Sequence, residues 1–338
     1  MADAKLTSFF EQKTITPTFY GNVFQVNNYT EESLCGITDE VPIIDYLILK
    51  SDDPAQRSRA IDNIGKASRD FGFFLVKNHP VPESLSEKVT EKFFEFFDMT
   101  EEEKRKYDTR DPTDMIRWWK ADPKLFSREQ LNIAVHPTFH CPPNPSGLSE
   151  ILKEYSKMVR ELGLELFRAI SKSLGLEEDY IEKKMNLESG HSFFTANDYP
   201  PRQHSQNRMG QFDHTDTSLL TLIIQNVGGG LQIEHEGKWI NVKFMPNWII
   251  VNIADHLEIL TNGKCKAVVH RVVLNNEKRR FTLPMFLGPS LNTIVSPAPE
   301  FVDGSHPPAY PGMSYQEYLE LNGYQVIDGK SWLQQIRY

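Results

Sequence analysis

The stretch FDHTDTS, residues 212–218, places a histidine and an aspartate at i and i+2 just before the apolar run LLTLII. In an extended strand such positions share a face, so His214 and Asp216 can aim into one space while Thr215 points away. An imidazole and a carboxylate so placed are two of the three protein ligands of a facial ferrous-iron site, which needs a second histidine and leaves positions open for reacting molecules. The bland alternative is a turn with two solvated polar residues.

The second histidine must come from another strand, and the chain holds 10 histidines. His270, inside KAVVHRVV, sits in a run expected to be buried, where an unsatisfied imidazole costs roughly 1–3 kcal/mol. A satisfied core histidine is the competing reading. His256 follows the run WIIVNI and reads as a turn residue. His79, His136, His140 and His306 lie near prolines, and His191, His204 and His235 lie in polar, turn-like settings. His270 is therefore the best partner for the His214/Asp216 pair.

Further on, RRFTLPMF repeats the i, i+2 arrangement with Arg280 and Thr282. A guanidinium beside a hydroxyl suits a carboxylate, which it can hold by charge-assisted, bidentate hydrogen bonds. Phe281 and Leu283 alternate with that pair, so the strand should be packed on both faces. If the His270 and Arg280 strands form a hairpin, both side chains face one interior only when the loop is odd. The expected loop is Asn275 to Arg279, not the even Asn275 to Lys278.

The elements that must carry these residues read as follows. Residues 1–40 are polar and aperiodic, an irregular arm. VPIIDYLIL (41–49) reads as a strand introduced by Pro42, and Asp53 caps a helix that ends near Gly72. FFLVKNH (73–79) is a strand stopped by prolines, and residues 83–99 form an amphipathic helix. Residues 109–148, with Trp118 and Trp119, read as a long surface connection containing a short helix. Residues 149–176 give the longest helix signal, with Gly175 near its end. From about residue 190, short β-rich runs broken by Gly, Asn and Pro argue for a sandwich or barrel. EHEGKW (234–239) is a hairpin with Gly237 at its turn, and SYQEYLELNG is a helix in the tail.

Composition narrows the partners. Hydrophobic residues at 39% and charged residues at 25% describe an ordinary globular chain of 338 residues. A net charge of −9, with Lys and Arg scattered, argues against nucleic acid. Cys35, Cys141 and Cys265 are far apart and form no CxxC pair, which disfavours a disulfide framework or thiolate zinc site. No long uncharged apolar run suggests a membrane span. The expectation is a cytoplasmic monomer acting on a small molecule.

These motifs together resemble the plant-type soluble ferrous-iron and 2-oxoglutarate-dependent dioxygenases. The similarity covers residues 40 to 335, from VPIIDYLIL and DFGFFLVKNHPV through NDYPP, HTDTSLLTLIIQN, GGLQI, VNIADHLEILTNGKCKAVVHRVV and RRFTLPMF. It implies an α+β fold: a double-stranded β-helix, or jelly roll, embraced by N- and C-terminal helices. The division would be an arm (1–40), a helical region (41–185), the jelly-roll core (186–292) and a helical tail covering the pocket (293–338). His214, Asp216 and His270 match the iron ligands. Arg280 and Thr282 match the pair that holds the distal carboxylate of 2-oxoglutarate, with Tyr199 assisting there and Asn197 near the other end.

By family position Thr195, Phe286 and Gly288 border the substrate pocket, and Trp118, Trp119 and Phe212 are further candidates. The resemblance also implies O2 as co-substrate, ascorbate as a stimulant, and release of succinate and CO2. The oxidised C–H bond would belong to a small, largely apolar plant metabolite or hormone, and the outcome would be hydroxylation, demethylation or desaturation. Asp216 is intact, whereas related halogenases replace it. Thr282 stands where serine is commoner, and Ala254 where glycine is usual. Two rival expectations are an ascorbate-using oxidase of the same fold without 2-oxoglutarate turnover, and a noncatalytic ligand-sensing module.

Overall fold

The protein was analysed as a computed structural model, which describes residues 41–109, 111, 114–121, 128–201, 209–226, 229–243, 245–274, 278–323 and 332–338. The expected arm, residues 1–40, Cys35 and the loop residues 275–277 lie outside them.

The first strand of the described residues is β1 (Ile43–Asp45), far shorter than the strand expected over 41–49. Asp45 accepts the amide hydrogen of Leu47 and starts a single helical turn, Tyr46–Leu49, so capping ends the strand. Helix α1 (Pro54–Asp70) is capped by Asp53 as expected, and it leads into β2 (Phe73–Lys77) and α2 (Glu83–Asp98). Residues 109–148 correct the expectation of a helix-bearing connection. They supply β3 (Ile116–Lys120) and β4 (Glu129–His136), paired antiparallel. Alternation in IRWWK and EQLNIAVH decides this, because one side of each strand is apolar and the other polar.

After α3 (Leu148–Ser173) come β5 (Ser192–Tyr199), β6 (Met209–His214), β7 (Leu220–Gln225), β8 (Leu231–His235), β9 (Lys238–Asn241) and β10 (Ile249–Ile253). The β8–β9 hairpin turns as expected, with Gly237 at φ +76°. Helix α4 (Asp255–Leu260), β11 (His270–Val273), β12 (Arg280–Leu287) and the tail helix α5 (Tyr315–Gly323) follow.

The strands form an eight-stranded sheet, ordered β1-β2-β10-β7-β12-β5-β4-β3, and a four-stranded sheet, ordered β6-β11-β8-β9. The large sheet's outer face packs on the helices. Phe194, Ala196, Leu222, Phe281, Leu283 and Met285 join Phe93 and Phe97 of α2 and Leu162 and Leu166 of α3 in one core. Its inner face meets the small sheet, where Phe73, Leu75, Ile223 and Ile250 pack on Leu231, Ile233 and Ile240. This is the jelly roll. Strands β1 to β4, although they precede residue 186, belong to the same large sheet as β5.

One expectation fails here. β11 pairs with β6 and β8, while β12 pairs with β5 and β7, so the two strands belong to opposite sheets and form no hairpin. Loop parity cannot then decide which way His270 and Arg280 face. Each points inward because its own sheet's apolar pattern turns it inward.

Candidate active site

β6 and β11 are antiparallel neighbours, and His214 lies directly opposite His270 in their register. Their rings approach to 4.1 Å between centroids. Asp216 falls beyond the end of β6, yet its Oδ1 lies 3.9 Å from Nε2 of His214 and 3.7 Å from Nε2 of His270. One ligand atom from each of the three residues fits within 4.8 Å of the others.

The hydrogen bonds prepare these atoms for a metal. Nδ1 of His214 is 2.8 Å from the Phe212 carbonyl and Nδ1 of His270 is 3.1 Å from the Val268 carbonyl. A carbonyl only accepts, so each Nδ1 carries a proton, and Nε2 is the ring nitrogen aimed inward for a metal. Enclosure in the barrel, then the neighbouring His270, pushes His214 down to about 3, so it is a neutral imidazole at physiological pH. Asn252, fully buried on β10, donates to Asp216 Oδ2 at 2.9 Å and leaves Oδ1 toward the histidines. The donor set, two imidazoles and a carboxylate, fits ferrous iron.

Arg280 approaches from the opposite sheet. Its Nε donates to the Gly229 carbonyl at 3.2 Å and its Nη2 to Gln225 Oε1 at 3.1 Å. Nη1 is buried with no hydrogen-bond partner among the described residues. Tyr199 lies directly across on β5, with its ring 5.2 Å from the guanidinium carbon. Thr282 Oγ1 accepts from Asn197 Nδ2 at 3.3 Å, and Asn197 Oδ1 is a further buried atom with no partner. A buried donor with nothing to bind costs roughly 1–3 kcal/mol, and a carboxylate would relieve that cost. Arg280, Tyr199 and Thr282 fit the far end of a dicarboxylate.

The remaining candidates divide. Thr195 is on the inner face, its hydroxyl donating to Asn132 Oδ1 at 2.7 Å. Phe286 stacks on Phe193 with centroids 4.6 Å apart. Phe212 contributes through its carbonyl, which holds His214. Trp119 shares the inner face, with Arg128 over its ring at 4.8 Å.

Trp118 is a correction. Trp118 points to the outer face, into the helix-side core, where its Nε1 donates to Glu129 Oε2 at 3.3 Å. Adjacent strand residues face opposite ways, so only one member of the tryptophan pair can line the pocket. At Gly288 an added Cβ would lie 2.4 Å from the ring of Tyr315, so a tail tyrosine packs against this position.

His256 is also not a turn residue. It lies in α4, fully buried, with Nδ1 2.7 Å from the Thr217 carbonyl and its ring edge-on to Tyr315 and Tyr318. Ala254 has extended backbone at φ −120°, which any residue adopts, so the missing glycine changes nothing there.

Asn252, bonded to Asp216, and Gln225, bonded to Arg280, hold candidate site residues and do not stand out in the sequence. The one signal for Asn252 is that a lone asparagine inside WIIVNI needs a buried partner.

Comparison with known proteins agrees with this geometry. The model of the 2OG-Fe(II) oxygenase superfamily matches residues 190–289, and that of the N-terminal region of non-haem dioxygenases in morphine synthesis matches residues 41–151. The chain is 38% identical to 2-oxoglutarate-dependent dioxygenase 19 of Oryza sativa subsp. japonica, over 88% of this chain and 90% of that one. It is 32% identical to leucoanthocyanidin dioxygenase of Malus domestica, over 83% and 82%. The crystal structure of JOX2 in complex with 2OG, Fe and JA superposes with a TM-score of 0.78 at 27% identity, covering 93% of this chain and 95% of that one.

Proposed function

Because this chain belongs to the 2OG-Fe(II) oxygenase superfamily, among its plant-type 2-oxoglutarate-dependent dioxygenases, we propose that His214, Asp216 and His270 hold its ferrous iron. The protein is an oxidoreductase that uses iron(II) and 2-oxoglutarate and takes a small-molecule substrate. When bound, iron and 2-oxoglutarate together supply the oxidising power, coupling decarboxylation to succinate and CO2 with O2-dependent oxidation of a substrate C–H bond.

The protein's own residues bind and orient. Arg280 and Thr282 hold the distal carboxylate of 2-oxoglutarate, with Tyr199 beside them and Asn197 near the other end. The observation that carries this reading is the inward convergence of three ligand atoms on one sheet opposite a buried, unsatisfied Arg280 Nη1 on the other. Asn252 fixes the carboxylate of Asp216, and the backbone carbonyls of Phe212 and Val268 fix the two imidazoles. Residues Thr195, Phe286 and Trp119 line the substrate side, where the apolar walls exclude water. We read residues 186–292 as the catalytic core, 41–185 as its scaffold and 293–338 as its cover.

The substrate we favour is a flat or apolar plant metabolite or hormone. Leucoanthocyanidin dioxygenase and JOX2 in complex with JA, among the similar proteins, point the same way. A cytoplasmic monomer is the assembly and location we propose. Among the described residues no helix is long and apolar enough to cross a membrane.

The test is succinate release by the full chain with Fe(II), 2-oxoglutarate, ascorbate and O2 across a panel of plant metabolites. Product masses separate the outcomes: one added oxygen for hydroxylation, loss of CH2 for demethylation, and loss of two hydrogens for desaturation. His214→Ala and Asp216→Ala should each abolish turnover. Iron binding without 2-oxoglutarate consumption on any substrate would overturn the proposal.

A further inference from the structure

The segment that carries Asp216 is held by its main chain as well as through Asn252. Residues 216–219 lie between β6 and β7, outside any strand, and all four of their carbonyls meet the first turn of α4. The Asp255 amide donates to the Asp216 carbonyl at 2.9 Å, the His256 amide to that of Ser218 at 3.0 Å, and the Ala254 amide to that of Leu219 at 3.2 Å. Nδ1 of His256 takes the remaining one, at Thr217, 2.7 Å away. Amides at the start of a helix have no partner inside it, so this turn is free to hold a neighbouring segment.

The turn that holds the ligand segment is itself held by the tail. Tyr315 and Tyr318, three residues apart on one face of α5, are both fully buried. Tyr318 Oη donates to Asp255 Oδ2 at 2.6 Å. The side chain of Thr215, between the ligands His214 and Asp216 in sequence, faces the same Asp255 carboxylate. Both tyrosine rings meet His256 edge-on, at 4.8 and 4.4 Å between centroids, and Tyr315 also faces Thr217. A hydrogen bond is directional, so it fixes Asp255 where packing alone would tolerate a shift. Another tail residue, Tyr310, reaches α4 further along, at Glu258, whose carboxylate bonds to the Ala267 amide and not to residues 216–219.

We propose that Tyr318 is a positioning residue for the iron carboxylate. Through Asp255 it sets the first turn of α4, and that turn sets the main chain from which Asp216 reaches the metal. This rests on the reading of His214, Asp216 and His270 as iron ligands and extends the support of the site to the tail helix.

The test separates metal binding from stability in the full chain. Tyr318→Phe and Tyr310→Phe each remove one hydroxyl bonded to a carboxylate of α4, so both should lower the urea midpoint of metal-free protein. Only Tyr318→Phe should weaken Mn(II) binding at saturating 2-oxoglutarate, on the order of threefold or more, because the metal must then immobilise a loosened Asp216. The absorption bands of Co(II)-loaded protein, which report the arrangement of ligands, should shift in Tyr318→Phe and stay in place in Tyr310→Phe. Wild-type affinity or an unshifted spectrum in folded Tyr318→Phe overturns the inference, as does equal weakening by Tyr310→Phe. If Tyr318→Phe does not fold, hydrogen exchange of the wild-type protein decides. Linkage is reciprocal, so Mn(II) with 2-oxoglutarate should slow amide exchange in α5 along with α4, and exchange in α5 that ignores the metal overturns the inference. Wild-type protein that binds no Mn(II) refutes the ligand assignment, and the role of Tyr318 falls with it.

Discussion

Asn252→Ala separates two things that one hydrogen bond does at this site. Asn252 Nδ2 donates to Asp216 Oδ2 at 2.9 Å, both residues are buried, and the bond is charge-assisted. Such a bond contributes about 1.5–3 kcal/mol. Most of that is present with or without metal, so its loss should appear first as lower stability of the metal-free fold. The affinity effect is smaller and comes from order. Without Asn252 the Asp216 carboxylate can rotate, and metal binding must then immobilise it at about 0.5–1.5 kcal/mol. That converts to metal binding weaker by about twofold to thirteenfold. Two measurements check this: Mn(II) titration of the full chain at saturating 2-oxoglutarate, and urea unfolding in the presence of chelator. Thr221→Val is the control, because Thr221 lies opposite Asn252 on β7 but bonds to Ser218 and not to Asp216. Metal affinity in Asn252→Ala that is unchanged, or tighter, would show that the bond stabilises the fold without orienting the ligand.

Arg280→Gln should weaken 2-oxoglutarate binding by about tenfold to a hundredfold, the value of a charge-assisted contact, with metal affinity in the absence of 2-oxoglutarate unchanged. Calorimetry measures both, and equal loss of both would mean a collapsed barrel. Trp118→Phe should cost about 1–3 kcal/mol in denaturant unfolding, because Glu129 loses a buried donor, while leaving the substrate alone. Trp119→Phe should do the reverse, and identical phenotypes for the pair would contradict the face assignment. His256 gives a pH dependence. Burial holds it at about 4, below its ordinary 6.5, so the unfolded chain binds the proton more readily. The contribution of His256 is therefore fully present above about pH 6.5 and is lost as pH drops toward 4, by up to about 3 kcal/mol. His256→Gln should flatten that slope in metal-free protein, and a slope as steep as the wild type's would assign it elsewhere.

The chemistry was more legible in the sequence than the architecture. His214, Asp216, His270 and Arg280 stand out because few residue types bind metals or carboxylates, and because spacing by two puts such groups on one face. Strand partnership is different: it depends on segments far apart in the chain. His270 and Arg280 are close in sequence and read as hairpin neighbours, but the jelly roll sends their strands to opposite sheets. β3 was missed because arginine, lysine and flanking prolines look like surface, although Arg117 and Trp119 turn inward. Similarly, nothing near His256 announces that tyrosines of α5 will cover it.

The placement of β11 and β12 in opposite sheets has a thermodynamic consequence. Two ligand histidines come from one sheet, while Asn252 and the carboxylate clamp come from the other. The complete site therefore exists only when the two sheets are docked. Metal and 2-oxoglutarate then bind the native state in preference to the unfolded chain, and by mass action each acts as a folding ligand. At a free concentration one hundred times its dissociation constant, such a ligand adds about 2.7 kcal/mol to the unfolding free energy. The melting temperature of this protein should thus climb with added Mn(II) and 2-oxoglutarate and fall with chelator, reporting occupancy before any substrate is known.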